Sequence, residues 1–282
     1  CDNAGYAPLY LSRAQLKEGE ARLADLMKAE QTDPSWRVGM ALLNYYTAES
    51  NWDKVVETGK KYIRKYPDNY YIGLKYANGL CETRQYGSCI SLLSKMQVLP
   101  NEGSYAGRAV YRAANLYQAM DQFSKRRYDA ALKSIKASEE WPENLGVGKP
   151  YDDQIDKRLE DYLEAKIYEK KGETAKAQTL LDKVSSHPTS TRNFESAHLL
   201  TALALRDTGK QAEADKLVAS WKKDFPESKP AQWCAAVYHG NMDQARELLS
   251  SRYASNETTP WETGYRDTNF DLIARLFSEV PR

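Results

Sequence analysis

The chain has 282 residues, of which 41% are hydrophobic and 28% are charged. This length suits one or two domains, and an apolar fraction near the globular average argues against a disordered chain. Lys and Arg number 40 against 39 Asp and Glu, so the formal charge of +1 gives no electrostatic basis for binding nucleic acid. No run of about 18 apolar residues is present, so no transmembrane helix is predicted.

The first residue is Cys1, followed by Asp2 and Asn3. This start fits either the lipidated end of a mature bacterial lipoprotein or a boundary at which a longer chain is trimmed. A lipid anchor usually precedes a flexible spacer, whereas helical patterning begins here by Tyr6, which favours the trimmed boundary. The compartment therefore stays open between the bacterial cytoplasm and the periplasm.

Prolines indicate a repeat. Six of them each follow a helical pattern, where a proline ends a helix. The first three are 33 residues apart, and the others follow at intervals of 42, 46 and 38 residues. They are Pro34, Pro67, Pro100, Pro142, Pro188 and Pro226. A period of this length is typical of stacked structural repeats.

Small residues recur in the same phase as the prolines. Four pairs of small residues are twelve residues apart, and a proline follows each pair after 11 or 12 residues. The pairs are Ala77 and Cys89, Ala119 and Ala131, Ala165 and Ala177, and Ala202 and Ala214. Three glycines stand five residues before an alanine, at 172, 209 and 240, with Asn51 in the comparable place before Val55. Because Gly and Asn tolerate the left-handed conformation that ends a helix, each unit is predicted to be two antiparallel helices joined by a tight turn.

The frame predicts an all-α fold in a single domain over residues 1–282. No unit can bury its apolar face alone, so neighbouring units must stack. A final helix over about 267–278 is predicted to cap the end of the array. The predicted helix pairs cover residues 3–34, 36–67, 70–100, 105–142, 153–188, 193–226 and 230–253.

Two segments carry a family resemblance. Residues 168–177, Tyr-Glu-Lys-Lys-Gly-Glu-Thr-Ala-Lys-Ala, and residues 205–214, Leu-Arg-Asp-Thr-Gly-Lys-Gln-Ala-Glu-Ala, resemble the tetratricopeptide repeat (TPR). That family repeats a helix–turn–helix unit of about 34 residues with aromatic, small and proline positions. The resemblance covers nearly the whole chain, although Trp36 and Trp52 do not stand at the family's usual tryptophan position. It implies a right-handed superhelical solenoid of about six to seven antiparallel helix pairs.

The resemblance also implies a concave groove lined by the first helix of each unit. The residues that the frame places there are Arg37, Asn44, Tyr71, Lys75 and Asn78. Asn44 and Asn78 occupy the same place in successive units, and an amide side chain can both donate to and accept from a peptide backbone. The alternative is that these residues are polar filler on a solvated face.

Residues 139–150 interrupt the repeat and read Glu-Glu-Trp-Pro-Glu-Asn-Leu-Gly-Val-Gly-Lys-Pro. They resemble a loop in the helical tails of certain large bacterial proteins, which carry a β-sandwich domain of unknown function ahead of their tetratricopeptide repeats. Residues 5–14 are similar to the start of such tails. The resemblance implies that the chain is the repeat part of a longer protein whose sandwich domain is carbohydrate-related. The alternative is an ordinary loop between repeats.

No set of residues indicates catalysis or a cofactor. The three histidines, His187, His198 and His239, are too scattered to predict a metal site or a nucleophile–base pair. The Gly146–Lys149 stretch lacks the spacing of a phosphate-binding loop and is followed by Pro150. The four cysteines match no zinc or redox motif, and Cys81 and Cys89 are expected to be reduced core residues.

The sequence therefore favours a non-catalytic scaffold that binds a protein or peptide partner on its concave face. No cofactor, metal or nucleic acid is expected. The alternative is an accessory helical domain of a larger, carbohydrate-related protein, which docks on another domain of the same chain. The residues encoded before Cys1 would separate these two hypotheses.

Overall fold

A computed structural model describes residues 5–100, 105–189, 193–254 and 267–279; Cys1 lies outside these ranges. Within them the chain forms fifteen α-helices, two short 3-10 helices (Glu143–Leu145 and Asp152–Gln154) and no strand, which confirms the all-α prediction. None of the described helices is both long enough and apolar enough to span a membrane. The α-helices are α1 Ala7–Ala14, α2 Gly19–Thr32, α3 Trp36–Ala48, α4 Trp52–Lys65, α5 Tyr70–Glu82, α6 Tyr86–Leu93, α7 Ala106–Ser124, α8 Tyr128–Ser138, α9 Arg158–Lys171, α10 Thr174–Ser185, α11 Ala197–Asp207, α12 Gln211–Asp224, α13 Lys229–Tyr238, α14 Met242–Ala254 and α15 Phe270–Glu279.

Short turns join the helices two by two, and each of six turns contains a residue with positive φ. Gly172, Gly209 and Gly240 have φ of 78°, 83° and 77°, as their spacing predicts. The turn before α4 differs from the prediction, because its left-handed residue is Ser50, with φ of 52°. Asn51 is instead the N-cap of α4, where its side chain accepts a hydrogen bond from the backbone N–H of Lys54 at 3.3 Å.

The described chain divides into two compact units, and the boundary falls within α7. Unit 1 contains the described residues up to Asn115 together with Glu140–Lys149. Unit 2 contains Leu116–Glu139 and the described residues from Pro150 onward.

In unit 1, α1 packs against α2, α3 against α4, and α5 against α6, while α2–α3 and α4–α5 connect one pair to the next. Small residues let the helices approach closely. A Cβ placed on Gly39 of α3 would stand 2.5 Å from the Tyr62 ring of α4. Val38, Leu42 and Val55 are fully buried at the same seam. Cys81 and Cys89 are buried free cysteines.

The interruption of the repeat is held in place by unit 1. Asn144 donates side-chain hydrogen bonds of 2.8 Å to the carbonyl oxygens of Leu93 and Met96, just after α6. The backbone N–H of Val98 donates to the Asn144 carbonyl at 2.8 Å, and the Leu145 side chain is fully buried. Gly146 follows with φ of 67°. The segment 142–146 therefore supplies the partners that the end of α6 lacks.

Unit 2 repeats the arrangement, and its packed pairs are α9–α10, α11–α12 and α13–α14. Helix contacts between one pair and the next are made by α8–α9, α10–α11 and α12–α13. Helix α11 is buried along its whole apolar length, from Ala197 to Leu205. Its side chains cannot be covered by α12 alone, because a paired helix covers a single face. Residues just before α15 add to this cover, since the Asp267 carboxylate accepts a hydrogen bond from the backbone N–H of Ser196, the N-cap of α11.

Candidate functional site

The five residues predicted to line a groove lie on two neighbouring helices of unit 1. Arg37 and Asn44 are on α3, Tyr71, Lys75 and Asn78 are on α5, and these two helices pack against each other. Arg37, Asn44 and Tyr71 are exposed, whereas Lys75 and Asn78 are half-buried. The structure therefore places all five on the first helices of two successive pairs.

The opposite faces of α3 and α5 hold these side chains in position. Asn44 stands between Leu43 and Tyr45, which are both buried against the core. On α5, Asn69 caps the helix by accepting a hydrogen bond from the backbone N–H of Ile72 at 3.2 Å. Burial of one face and a fixed helix start determine which residues of each helix point to solvent.

Two of the five residues already rest on aromatic neighbours. The Arg37 guanidinium carbon lies 4.6 Å from the centre of the Trp36 ring. The rings of Tyr70 and Tyr71 are 4.2 Å apart between centroids, and the interaction with the Tyr71 side chain raises the pKa of Tyr70. These contacts restrict the rotamers of Arg37 and Tyr71, so less conformational entropy is lost when a partner binds.

The other three side chains lack hydrogen-bond and ion-pair partners among the described residues. Asn44, Lys75 and Asn78 form no side-chain hydrogen bond or ion pair with any residue that the structure describes. Each amide can donate two hydrogen bonds and accept two, and the ammonium group can donate three. This part of the surface therefore offers unused hydrogen-bonding capacity beside an exposed aromatic ring.

The same positions of unit 2 have a different character. One residue after the small residue of the first helix, where unit 1 has Asn78, unit 2 has the buried Met120 and Leu203 and the half-buried Lys166, which is paired with Glu169 and Asp207. Six residues before the small residue, where unit 1 has Tyr71, unit 2 has the buried Leu159 and Ser196. The first-helix surface is thus polar and open in unit 1 and mainly apolar and covered in unit 2.

Sequence reasoning missed a buried polar cluster around Arg158 at the start of α9. The Arg158 guanidinium forms salt bridges of 2.8 Å with Asp156 and with Glu195, and its side chain is only 1% exposed. Near Glu195, burial lowers the pKa of His198 to about 4, and the positive charge of Arg158 acts in the same direction. Two carboxylates compensate the guanidinium, so the cluster joins the segment before α9 to the segment before α11.

The described residues contain no group of three or more His, Cys, Asp or Glu side chains placed to hold a metal ion. Comparison with known proteins gives no family: no protein-family model matches the chain, and no curated protein matches it. The case for a function therefore depends on the chemistry of these surfaces.

Proposed function

We propose that the chain is a non-catalytic scaffold of the tetratricopeptide type, and that α3 and α5 of unit 1 bind a segment of a partner protein. The observation that carries the proposal is the set of unpartnered polar side chains, Asn44, Lys75 and Asn78, beside the exposed Tyr71. Hydrogen-bonding groups without a partner gain the most when a ligand supplies one.

The packing of unit 1 supports a concave surface at this place. Helix α3 packs against both α1 and α5, whereas the second helices α2, α4 and α6 do not approach one another as closely. The side on which neighbouring helices lie closer is the inner side of a curved stack. We extend the proposal to the tetratricopeptide arrangement, in which such pairs wind in a right-handed superhelix with the first helices on its concave face.

The residue types favour an extended segment with exposed backbone amides and at least one acidic side chain. Two asparagines one repeat apart can each hold a peptide group, because an amide mimics the donor and acceptor of a backbone. Arg37 and Lys75 supply positive charge for a carboxylate, and Tyr71 supplies rigid apolar area of the kind that dominates interface energies.

The test begins with a partner selected from a peptide-display library on the intact chain, followed by affinity measurement with the selected peptide. We expect the double variant Asn44→Ala/Asn78→Ala to weaken binding by about 1 kcal/mol or more for each anchoring residue, which is about fivefold per residue. Unfolding by urea should shift by no more than about 0.5 kcal/mol per site, since neither amide has a partner within the described chain.

The matched control is the double variant Lys60→Ala/Arg64→Ala, which removes two exposed side chains from the second helix α4. It should leave both affinity and stability unchanged. Equal losses of affinity in the two double variants would contradict the assignment of the surface. Unfolding of the asparagine variant would show that the amides are structural, and the proposal would then fail.

A further inference from the structure

Helix α15 lies on the first-helix surface of unit 2. Its Phe270 ring meets the Trp233 ring of α13 edge-on, with centroids 5.1 Å apart. At the other end of α15, the Arg275 guanidinium carbon lies 4.0 Å from the centre of the Tyr117 ring of α7. The last helix of the chain therefore contacts first helices that belong to separate pairs, α7 and α13.

The start of α15 is tied to the start of α11. One carboxylate oxygen of Asp267 accepts a hydrogen bond from the backbone N–H of Ser196, the N-cap of α11, at 2.6 Å. The other oxygen accepts from the backbone N–H of Asn269 at 2.9 Å, just before α15 begins. A carboxylate at a helix N-terminus is favoured by the unpaired N–H groups and by the helix dipole.

The side chains of α15 divide into two faces. Four large apolar residues are buried, whereas Asp271 and Ser278 are exposed. The buried set is Phe270, Leu272, Ile273 and Leu276. The first helices α7 and α11 carry the buried apolar residues Met120, Leu199 and Leu203. Apolar residues at helical spacing that meet an apolar groove are the mode by which amphipathic peptide helices are recognised.

The contacts of α15 and of the residue just before it reach three first helices of unit 2: α7 through Arg275, α11 through Asp267 and α13 through Phe270. A peptide helix in a binding groove is held in the same way, by an apolar face and by side chains at its two ends.

We propose that α15 is an intramolecular ligand of unit 2, and that a separate amphipathic helix with the same side-chain pattern binds in its place. Such a helix carries an aromatic residue at the place of Phe270, aliphatic residues at the places of Ile273 and Leu276, and a cation at the place of Arg275. An acidic residue three positions before the aromatic residue completes the pattern, as Asp267 does here. This inference concerns unit 2 and does not depend on the function proposed for unit 1.

The test uses the full chain with a specific protease site substituted within residues 255–266. Cleavage in the folded state leaves α15 in place without a covalent link to α14. We expect a fluorescent peptide of residues 267–279 to replace the released segment while the far-ultraviolet circular dichroism of the chain stays helical. A peptide with Ile273→Asp should bind at least about tenfold more weakly, because a charge would enter the apolar groove. The matched Ser278→Ala peptide, changed on the exposed face, should bind as the parent does.

A second measurement uses the uncut chain. The tethered α15 is present at an effective concentration on the order of millimolar, so the labelled peptide should bind poorly to the parent protein. Phe270→Ala in the chain weakens the tethered helix and should raise the apparent affinity for the parent peptide by about tenfold. Any one of three results would overturn the proposal: exchange of the peptide only at the rate of global unfolding, loss of helix on cleavage, or no gain in peptide affinity with Phe270→Ala. Each would mean that α15 is an integral part of the core.

Discussion

Asp25 is a buried acidic residue of unit 1. It is 2% exposed and forms ion pairs with Arg13 at 2.6 Å and Lys17 at 2.8 Å. The Arg13 hydrogen bonds hold the pKa of this carboxyl well below its usual range, against the effect of burial. The ionised carboxylate therefore stabilises the folded state above pH 4, and that contribution is lost as the pH falls below 4.

We expect Asp25→Asn to lower the free energy of unfolding at pH 7 by about 2 kcal/mol, because it leaves two cations beside a neutral side chain. The value is below that of a fully buried pair, since Arg13 and Lys17 are about one-third exposed and solvent screens them. Urea unfolding at pH 7 and pH 3 measures the effect, which should shrink at pH 3. The control Glu57→Gln removes the exposed ion pair with Lys54 and should change stability by less than about 0.5 kcal/mol. Equal effects of Asp25→Asn at both pH values would contradict this account.

The buried His198 leads us to expect a second dependence of the free energy of unfolding on pH, in a higher pH range than that of Asp25. Its pKa is lowered to about 4, so the folded state keeps the ring neutral while the unfolded state takes up a proton below about 6.5. Stability should therefore fall as the pH drops from 6.5 to 4, by up to about 3 kcal/mol, and then level off for this group. His198→Gln should flatten the profile between these values. The control variant is His239→Gln, which removes an exposed imidazole elsewhere in unit 2. A parent slope that survives in His198→Gln would assign the titration to another group.

At the scale of the element, the turns between paired helices depend on one left-handed residue each. An L-residue pays about 1–2 kcal/mol to adopt this conformation, whereas glycine adopts it without steric strain. Gly209 has φ of 83° and open space around the position of a Cβ, so packing does not enter. Ser50 occupies the same place in its turn with φ of 52°.

These turns predict opposite effects of two small substitutions. Gly209→Ala should destabilise the protein by about 1 kcal/mol, since it adds strain without a clash. Ser50→Gly should have no cost or stabilise by up to about 0.5 kcal/mol, because relief of strain exceeds the added entropy of the unfolded chain. Thermal or urea unfolding of the two variants measures the difference. Destabilisation by Ser50→Gly as large as that of Gly209→Ala would mean that the serine side chain, and not the backbone conformation, holds its turn.

At the scale of the whole molecule, the sequence predicts features that depend on neighbours along the chain. The helix class and the glycine turns follow from local periodicity, because helix ends and left-handed turns select particular residue types. The turn before α4 shows the limit of such reasoning. Ser50 and Asn51 both suit a turn, and their residue types alone do not determine which one adopts the left-handed conformation and which one caps α4. The stacking of the pairs into one solenoid stays a prediction.

The surfaces were harder to predict than the helices. The repeat frame predicts that Asn44 and Asn78 lie on first helices, but not that they lack hydrogen-bond partners among the described residues, because side-chain pairing depends on residues distant in sequence. The position of α15 had one signal in the sequence: the apolar Met120 and Leu203 stand where unit 1 has Asn78, although Lys166 does not follow this pattern.

Site-specific photo-crosslinking tests whether a partner segment lies on α3 and α5 of unit 1. A photoreactive residue replaces Asn78 on α5 in one variant and Lys60 on α4 in another, and each intact protein is irradiated with the selected peptide. We expect a covalent adduct from position 78, competed by unlabelled peptide, and none from position 60. Adducts of equal yield at both positions, or an adduct at position 60 alone, would contradict it.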